Sequence, residues 1–219
     1  MFEPSSFPPC GGTLPRGIAP RGLSVRGLCN PHAGPVDFDV PGGACLVLTG
    51  MSGAGKTVLL RMIADLDPHQ GDVALDGRLC RAMPAHLWRR QVVYCPAEPG
   101  WWSDSVLDHL PDDARTRDLL ARAGLRDGLL RDPLHRLSTG ERQRLALVRG
   151  LRQDPRVLLL DEPCSALDEA TTRKVETILH AEKARGVAIV LISHDPRQAD
   201  RMADLRCHME HGRFARVGS

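Results

Sequence analysis

The chain reads as an α/β domain with a mainly parallel sheet. Three observations carry that reading: bare apolar runs at 44–49, 157–160 and 187–192, helical spacing between them, and turn dipeptides at the joins. Residues 44–49, ACLVLT, lie between Pro41-Gly42-Gly43 and Gly50, as a strand buried on both faces would. Leu59, Met62, Ile63 and Leu66 then recur at helical spacing after Lys56, and Asp67-Pro68 ends the pattern. Asp76-Gly77, flanked by 73–75 and Leu79, predicts a hairpin and so an antiparallel ribbon after the first helix. Residues 92–94 read as another strand. From 98 to 136, Pro111, Gly124, Gly128 and Pro133 break short helical patterns, which predicts a small helical insertion. Helices are expected over 141–152, ending at Asp154-Pro155, and over 168–185, closed by Gly186. In such a fold ligands bind at the carboxyl ends of the strands.

A chain of 219 residues suits one domain with a small insertion, and two unrelated domains would be cramped. No apolar run reaches the eighteen or so residues of a membrane span, so a membrane role requires a partner. Residues 1–20 hold Pro4, Pro8, Pro9, Pro15 and Pro20, lack the apolar core of a secretory signal, and read as a mobile tail. The net charge of +2 is spread without a basic block, which argues against nucleic acid as a partner. Seven cysteines, with no Cys-x-x-Cys pair, argue against a disulfide framework or zinc ribbon and suit a reducing cytoplasm. Cys207, His208 and His211 resemble a ligand cluster, but they flank a hairpin expected at His211-Gly212, and the reading taken is structural.

Chemistry concentrates in three places. Gly50-Met51-Ser52-Gly53-Ala54-Gly55-Lys56-Thr57 follows a strand and opens a helix, the context a phosphate-binding loop requires. Its glycines let backbone amides converge, the helix N-terminus adds positive potential, Lys56 reaches the β and γ phosphates, and Thr57 can ligate magnesium. Residues 157–162, VLLLDE, deliver two carboxylates at a strand end, where the phosphates would lie. Asp161 fits a magnesium ligand, and Glu162 fits a base that orients and deprotonates water. The third place is 137–143, LSTGERQ. Ser138 and Glu141 have capping-box spacing, and a helix N-terminus bearing a serine and an exposed Gly140 amide also suits a γ-phosphate.

Together these motifs resemble the nucleotide-binding domain of ABC transporters, a P-loop NTPase fold, from about Gly22 to the C-terminus. LSTGERQ resembles the LSGGQ signature, 165–168 (SALD) a D-loop, and 192–195 (ISHD) a switch histidine, all in the family's order. The resemblance implies an ATPase domain over 21–219 with its helical subdomain at about 98–152. It also implies ATP with Mg2+, and a homodimer in which each Gly50–Thr57 loop faces the other copy's Ser138, Thr139, Gly140 and Glu141. His194 would touch the γ-phosphate. A separate integral membrane permease would be the partner, placing the chain in the cytoplasm at the inner face of the cell membrane. Residues 88–95, WRRQVVYC, with the short insertion, further resemble small bacterial ATP-binding subunits assigned to iron or other metal export.

Two departures stand out. No aromatic residue occurs in 23–30, where the family stacks one on adenine, and Asn30 or a neighbour takes its place. The glutamine expected two residues beyond Cys95 is Ala97, so Glu98 either substitutes as a metal ligand or caps the turn at Pro99-Gly100. DNA-repair relatives carry long coiled coils between the two nucleotide motifs, and the 82 residues separating Lys56 from Ser138 leave no room for them. Translation-type relatives carry two cassettes, and this chain has one. A non-catalytic regulatory module would explain the missing aromatic and glutamine, but Lys56, Asp161, Glu162 and His194 argue against it.

Overall fold

The computed structural model describes residues 21–215, so the tail expected at 1–20 lies outside the described residues. Among the described residues two sheets are built from ten strands. β1 (Gly22–Asn30), β2 (Ala33–Pro41), β4 (Gln70–Leu75) and β5 (Arg78–Leu79) form an antiparallel sheet in the order β2-β1-β4-β5. β3 (Cys45–Thr49), β6 (Val92–Cys95), β7 (Val157–Asp161), β8 (Ala188–Ile192), β9 (Leu205–Glu210) and β10 (Arg213–Phe214) form the second, in the order β10-β9-β3-β8-β7-β6. All its pairings are parallel except the β9–β10 hairpin.

Period-two alternation divides the core between the two faces of this sheet. Leu46, Leu48, Val92, Val157, Leu159, Val190 and Ile192 pack toward α1 (Lys56–Ile63) and the antiparallel sheet. Val47, Val93, Leu158, Leu160, Ile189 and Leu191 face α3 (Ala114–Arg122), α4 (Thr139–Leu151), α5 (Glu169–Ala184) and α6 (Pro196–Met202). The segment 98–136 holds α3 and three 3-10 turns. Its Leu119, Leu120, Leu129 and Leu134 share one core with the sheet, so apolar packing is continuous across it.

Both expected hairpins form, and for the stated reason: Asp76 and Gly77, like His211 and Gly212, take positive φ angles, the conformation of a tight two-residue turn. The first helix is shorter than its apolar spacing implies. It stops at Ile63 because Asp65 turns left-handed at φ 57°, and the amides of Asp65 and Leu66 bond back to Met62 and Arg61. This is a Schellman closure with aspartate in the usual glycine place, and it leaves Leu66 exposed. α2 (Ala85–Gln91) seats the fully buried Trp88, whose indole N–H donates to the Ile63 carbonyl at 2.9 Å. No helix among the described residues is long and apolar enough to cross a membrane.

Candidate functional site

The 50–57 loop joins β3 to α1 and turns on glycines that a side chain would obstruct. A Cβ on Gly50 would sit 2.2 Å from the Met209 carbonyl, and Gly55 caps α1 at φ 95°. Lys56 is 6% exposed, and its ammonium donates to the carbonyls of Gly50 at 2.7 Å and Met51 at 2.8 Å. The amine is therefore folded back into the loop that would hold a phosphate. Burial draws its pKa below the ordinary value, against the opposing charges of Glu162 and Asp161. Ser52, Gly53 and Ala54 complete the loop, and Met51 projects from it, 80% exposed.

Parallel pairing brings the acidic residues to the same end of the sheet. Asp161, the last residue of β7, is 3% exposed, and its Oδ2 accepts from the Thr57 hydroxyl at 2.8 Å. Residues 104 positions apart thus share one hydrogen bond. The same Oδ2 accepts from the Tyr94 hydroxyl at 3.0 Å. Burial, and then the neighbouring Asp161, push the Tyr94 phenol above its usual range, so it acts as a neutral donor. Glu162 follows in the left-handed region at φ 50°, its amide held by the Ile192 carbonyl at 3.2 Å. Such a conformation is uncommon for a non-glycine residue and turns the carboxylate out of the strand. His194 Nε2 lies 3.1 Å from Glu162 Oε1. Both border a cavity of about 360 Å³ that Cys164, Ser165, Leu167 and Gln198 also line.

Ser138 caps α4 in a capping box: its Oγ accepts from the Glu141 amide at 3.2 Å, and Glu141 Oε2 accepts from the Ser138 amide at 2.9 Å. Thr139 and Gly140 form the first turn, and a Cβ on Gly140 would lie 2.9 Å from Leu167 Cδ2, so this turn rests on the loop after Glu162. Among the described residues no hydrogen bond or ion pair joins 138–141 to 50–57. The two segments stand on separate elements, one at the start of α1 and the other at the start of α4.

Two further polar residues lie in quoted stretches but are given no role by the sequence alone. Tyr94 is one. The other is Gln143, 7% exposed on the inner face of α4, whose Nε2 donates to Ser165 Oγ at 2.9 Å and to the Ala97 carbonyl at 3.3 Å, while its Oε1 accepts from the Ala166 amide at 3.3 Å. Its spacing of four from the buried Leu147 was the available signal. Glu98 is exposed in the bend after β6, with no bond to Thr57 or Asp161. Asn30 uses its side chain inside the β1–β2 turn, accepting from the amides of His32 and Ala33 at 2.9 and 3.0 Å. Among the described residues no group of His, Cys, Asp and Glu is arranged to hold a metal by itself. The hydroxyl and carboxylate of Thr57 and Asp161 are nonetheless hard oxygen donors of the kind magnesium takes, and phosphates on the neighbouring 50–57 loop would complete its shell.

Comparison with known proteins bears on the family and the fold. A family model described as ABC transporter matches residues 33–165. Protein STAR1 of Oryza sativa subsp. japonica is 38% identical over 194 residues, covering 83% of this chain and 56% of that protein. The probable iron export ATP-binding protein FetA of Escherichia coli (strain K12) is 34% identical over 197 residues, 82% of this chain and 88% of FetA. An Fe(3+) ions import ATP-binding protein, FbpC of Mesorhizobium japonicum, is 35% identical over 217 residues, but this chain spans only 58% of its length. Among solved structures, an ATP-binding subunit of an ABC transporter superposes with TM-score 0.78 at 24% identity, over 90% of each chain, a likeness of fold.

Proposed function

The chain belongs to the ABC transporter family, and from that premise we propose that it is the ATP-binding, ATP-hydrolysing subunit of a transporter whose permease is a separate membrane protein. The observation that carries this reading is the Thr57–Asp161 hydrogen bond beside the Glu162–His194 pair, at the carboxyl ends of neighbouring strands, which supports roles for them as the end of a phosphate loop, a metal carboxylate and a base with its partner.

In the proposed reaction the amides of Gly50, Met51, Ser52, Gly53, Ala54 and Gly55 cradle the phosphates, and Lys56 leaves its carbonyl partners for the β and γ oxygens. Magnesium, when bound with ATP through Thr57 and Asp161, and Glu98 as an outer carboxylate, supplies charge neutralisation. Glu162 accepts the proton of a water whose oxygen attacks the γ phosphorus as the bond to the β-phosphate oxygen breaks. His194, held against Glu162, donates to the γ-phosphate. Ser138, Thr139, Gly140 and Glu141 stand apart from the loop in their own chain, which supports their serving the ATP of a second copy.

We further infer a cytoplasmic position on the inner face of the membrane, a domain spanning 21–219 with its helical subdomain at about 98–152, and export of a metal such as iron. The match over nearly the whole length of FetA supports the export reading. Purified protein should release phosphate from ATP, and membranes should co-purify a permease whose reconstitution moves iron outward. Absence of phosphate release would defeat the enzymatic reading, and inward movement would defeat the export reading.

A further inference from the structure

The proposed site rests on Asp161, yet no role has been given to the residue that holds it from the opposite side. Tyr94 and Asp161 lie on neighbouring parallel strands, with Tyr94 paired to Leu159, two residues before the aspartate. Strand alternation puts Val92, Tyr94, Val157, Leu159 and Asp161 on one face, the face covered by α1. Thr57, in the first turn of α1, approaches the same carboxylate from above. One oxygen, Asp161 Oδ2, therefore accepts two donors: the Thr57 hydroxyl at 2.8 Å and the Tyr94 phenol at 3.0 Å.

These donors are not equivalent. A Thr57 hydroxyl that ligates magnesium does so through a lone pair, so its position must serve the metal even while its proton stays on Asp161. The Tyr94 phenol has no such second task. Its place is set by its own strand, and it fixes the rotamer of a nearly buried carboxylate while leaving Oδ1 free to face the metal or its water. Hydrogen bonds to ligating carboxylates hold metals by this means, and their loss typically lowers affinity about ten- to a hundredfold.

We propose that Tyr94 is a positioning residue for the magnesium site, orienting Asp161 through its phenol while Thr57 serves the metal. This rests on the nucleotide reading above and extends it to a residue outside the motifs. No other described side chain donates to Asp161. The strand carrying Tyr94 leads into Ala97, where the family's glutamine is missing, so in this chain it is β6 itself that reaches the metal side of the site, through a phenol three residues before that position.

The test uses the full chain, magnesium, and an ATP analogue that cannot be hydrolysed. In Tyr94→Phe, which removes one hydroxyl and keeps the ring in its apolar setting, the magnesium concentration for half-maximal analogue binding should rise roughly tenfold. Analogue affinity without metal should stay as in the wild type. The chain has a single tyrosine, so wild-type protein labelled with carbon-13 at the tyrosine ring carbon bearing oxygen gives one resonance. That signal should move when magnesium is added to the analogue-bound protein, a readout independent of turnover and of how well the variant folds. An unchanged magnesium requirement in the variant, or a resonance that ignores magnesium, would overturn the inference while leaving the nucleotide reading standing. Failure of the wild type to bind the analogue at all would overturn both.

Discussion

His194 Nε2 stands 3.1 Å from Glu162 Oε1, so an imidazole and a carboxylate that follow two neighbouring strands face each other at the strand ends. The contact depends on the left-handed backbone at Glu162, without which its carboxylate would continue the alternation of β7. If Glu162 is the base, Glu162→Gln keeps the shape and removes the proton acceptor. Steady-state phosphate release should fall by about a hundredfold or more, with ATP binding intact and a dimer trapped on a sizing column. His194→Ala should lose most turnover as well. Substantial hydrolysis by Glu162→Gln would reject the assignment.

Ser138 has two readings, a helix cap and an anion contact, and two substitutions separate them. The capping box is formed, so Ser138→Ala should destabilise the chain by about 1 kcal/mol, read from a urea midpoint. Aspartate accepts from the Glu141 amide as serine does, but it cannot donate to Glu141 Oε2, which Ser138 Oγ meets at 2.8 Å, and it brings a negative charge toward the γ-phosphate. Ser138→Asp should therefore be about as stable as Ser138→Ala and, unlike it, fail to hydrolyse ATP. Normal turnover in Ser138→Asp would leave Ser138 as a cap alone.

Gln143 ties the first turns of α4 to Ala97 and to the Ser165–Ala166 segment through one buried amide. Leucine there would remove three hydrogen bonds whose other partners, at Ser165, Ala166 and Ala97, are exposed or half-buried and can turn to water, so Gln143→Leu should cost about 1 kcal/mol of stability and lower kcat more than it raises KM. Gln143→Glu keeps acceptors for Ser165 and the Ala166 amide but sets a nearly buried carboxylate against the Ala97 carbonyl, so it should be no more stable than Gln143→Leu. Equal stability in all three proteins would show the amide to be dispensable.

The share of this that could be read from residue order follows the physics of each element. The phosphate loop and both hairpins depend on local turn chemistry, which glycine and aspartate write into a few adjacent residues. The end of α1 was misplaced because Asp65 adopts a conformation that its side chain tolerates but does not demand. β1 went unread because its register is interrupted between Val25 and Leu28 and again before Asn30, which breaks the alternation, whereas β2 keeps it, with Val36, Phe38 and Val40 buried and Asp37 and Asp39 between them, a signal that was available. Tyr94 and Gln143 look like ordinary members of a strand and a helix. Only the pairing of β6 with β7, and the approach of α4 to two distant loops, reveals what their polar atoms meet.

Base recognition should be weak. The β1–β2 turn uses Asn30 for its own amides, and no residue in 23–30 offers an aromatic face. Stacking contributes roughly 1–3 kcal/mol per base where it has been measured, so its loss leaves the phosphates to dominate affinity. ATP should be preferred to GTP by less than about a hundredfold in competition binding. A larger preference would mean that another side chain contacts the adenine.

The last expectation concerns Glu98. Its carboxylate is exposed, has no partner among the described residues, and follows Ala97, whose methyl group cannot touch metal or water. The Ala97 carbonyl is already engaged by Gln143, so the backbone of this bend is anchored while the Glu98 side chain is free to turn toward the nucleotide. An exposed carboxylate acts on a cation through water, an effect of about 0–1 kcal/mol, much smaller than that of a donor bonded to the buried aspartate. Glu98→Ala should accordingly raise the magnesium concentration for half-maximal hydrolysis by only about two- to threefold. Ala97→Gln, which supplies an amide oxygen one residue earlier, should reverse that shift in the double variant. A magnesium requirement unchanged in Glu98→Ala would leave the bend after β6 without a metal contact and the Glu98 carboxylate as a turn residue before Pro99-Gly100.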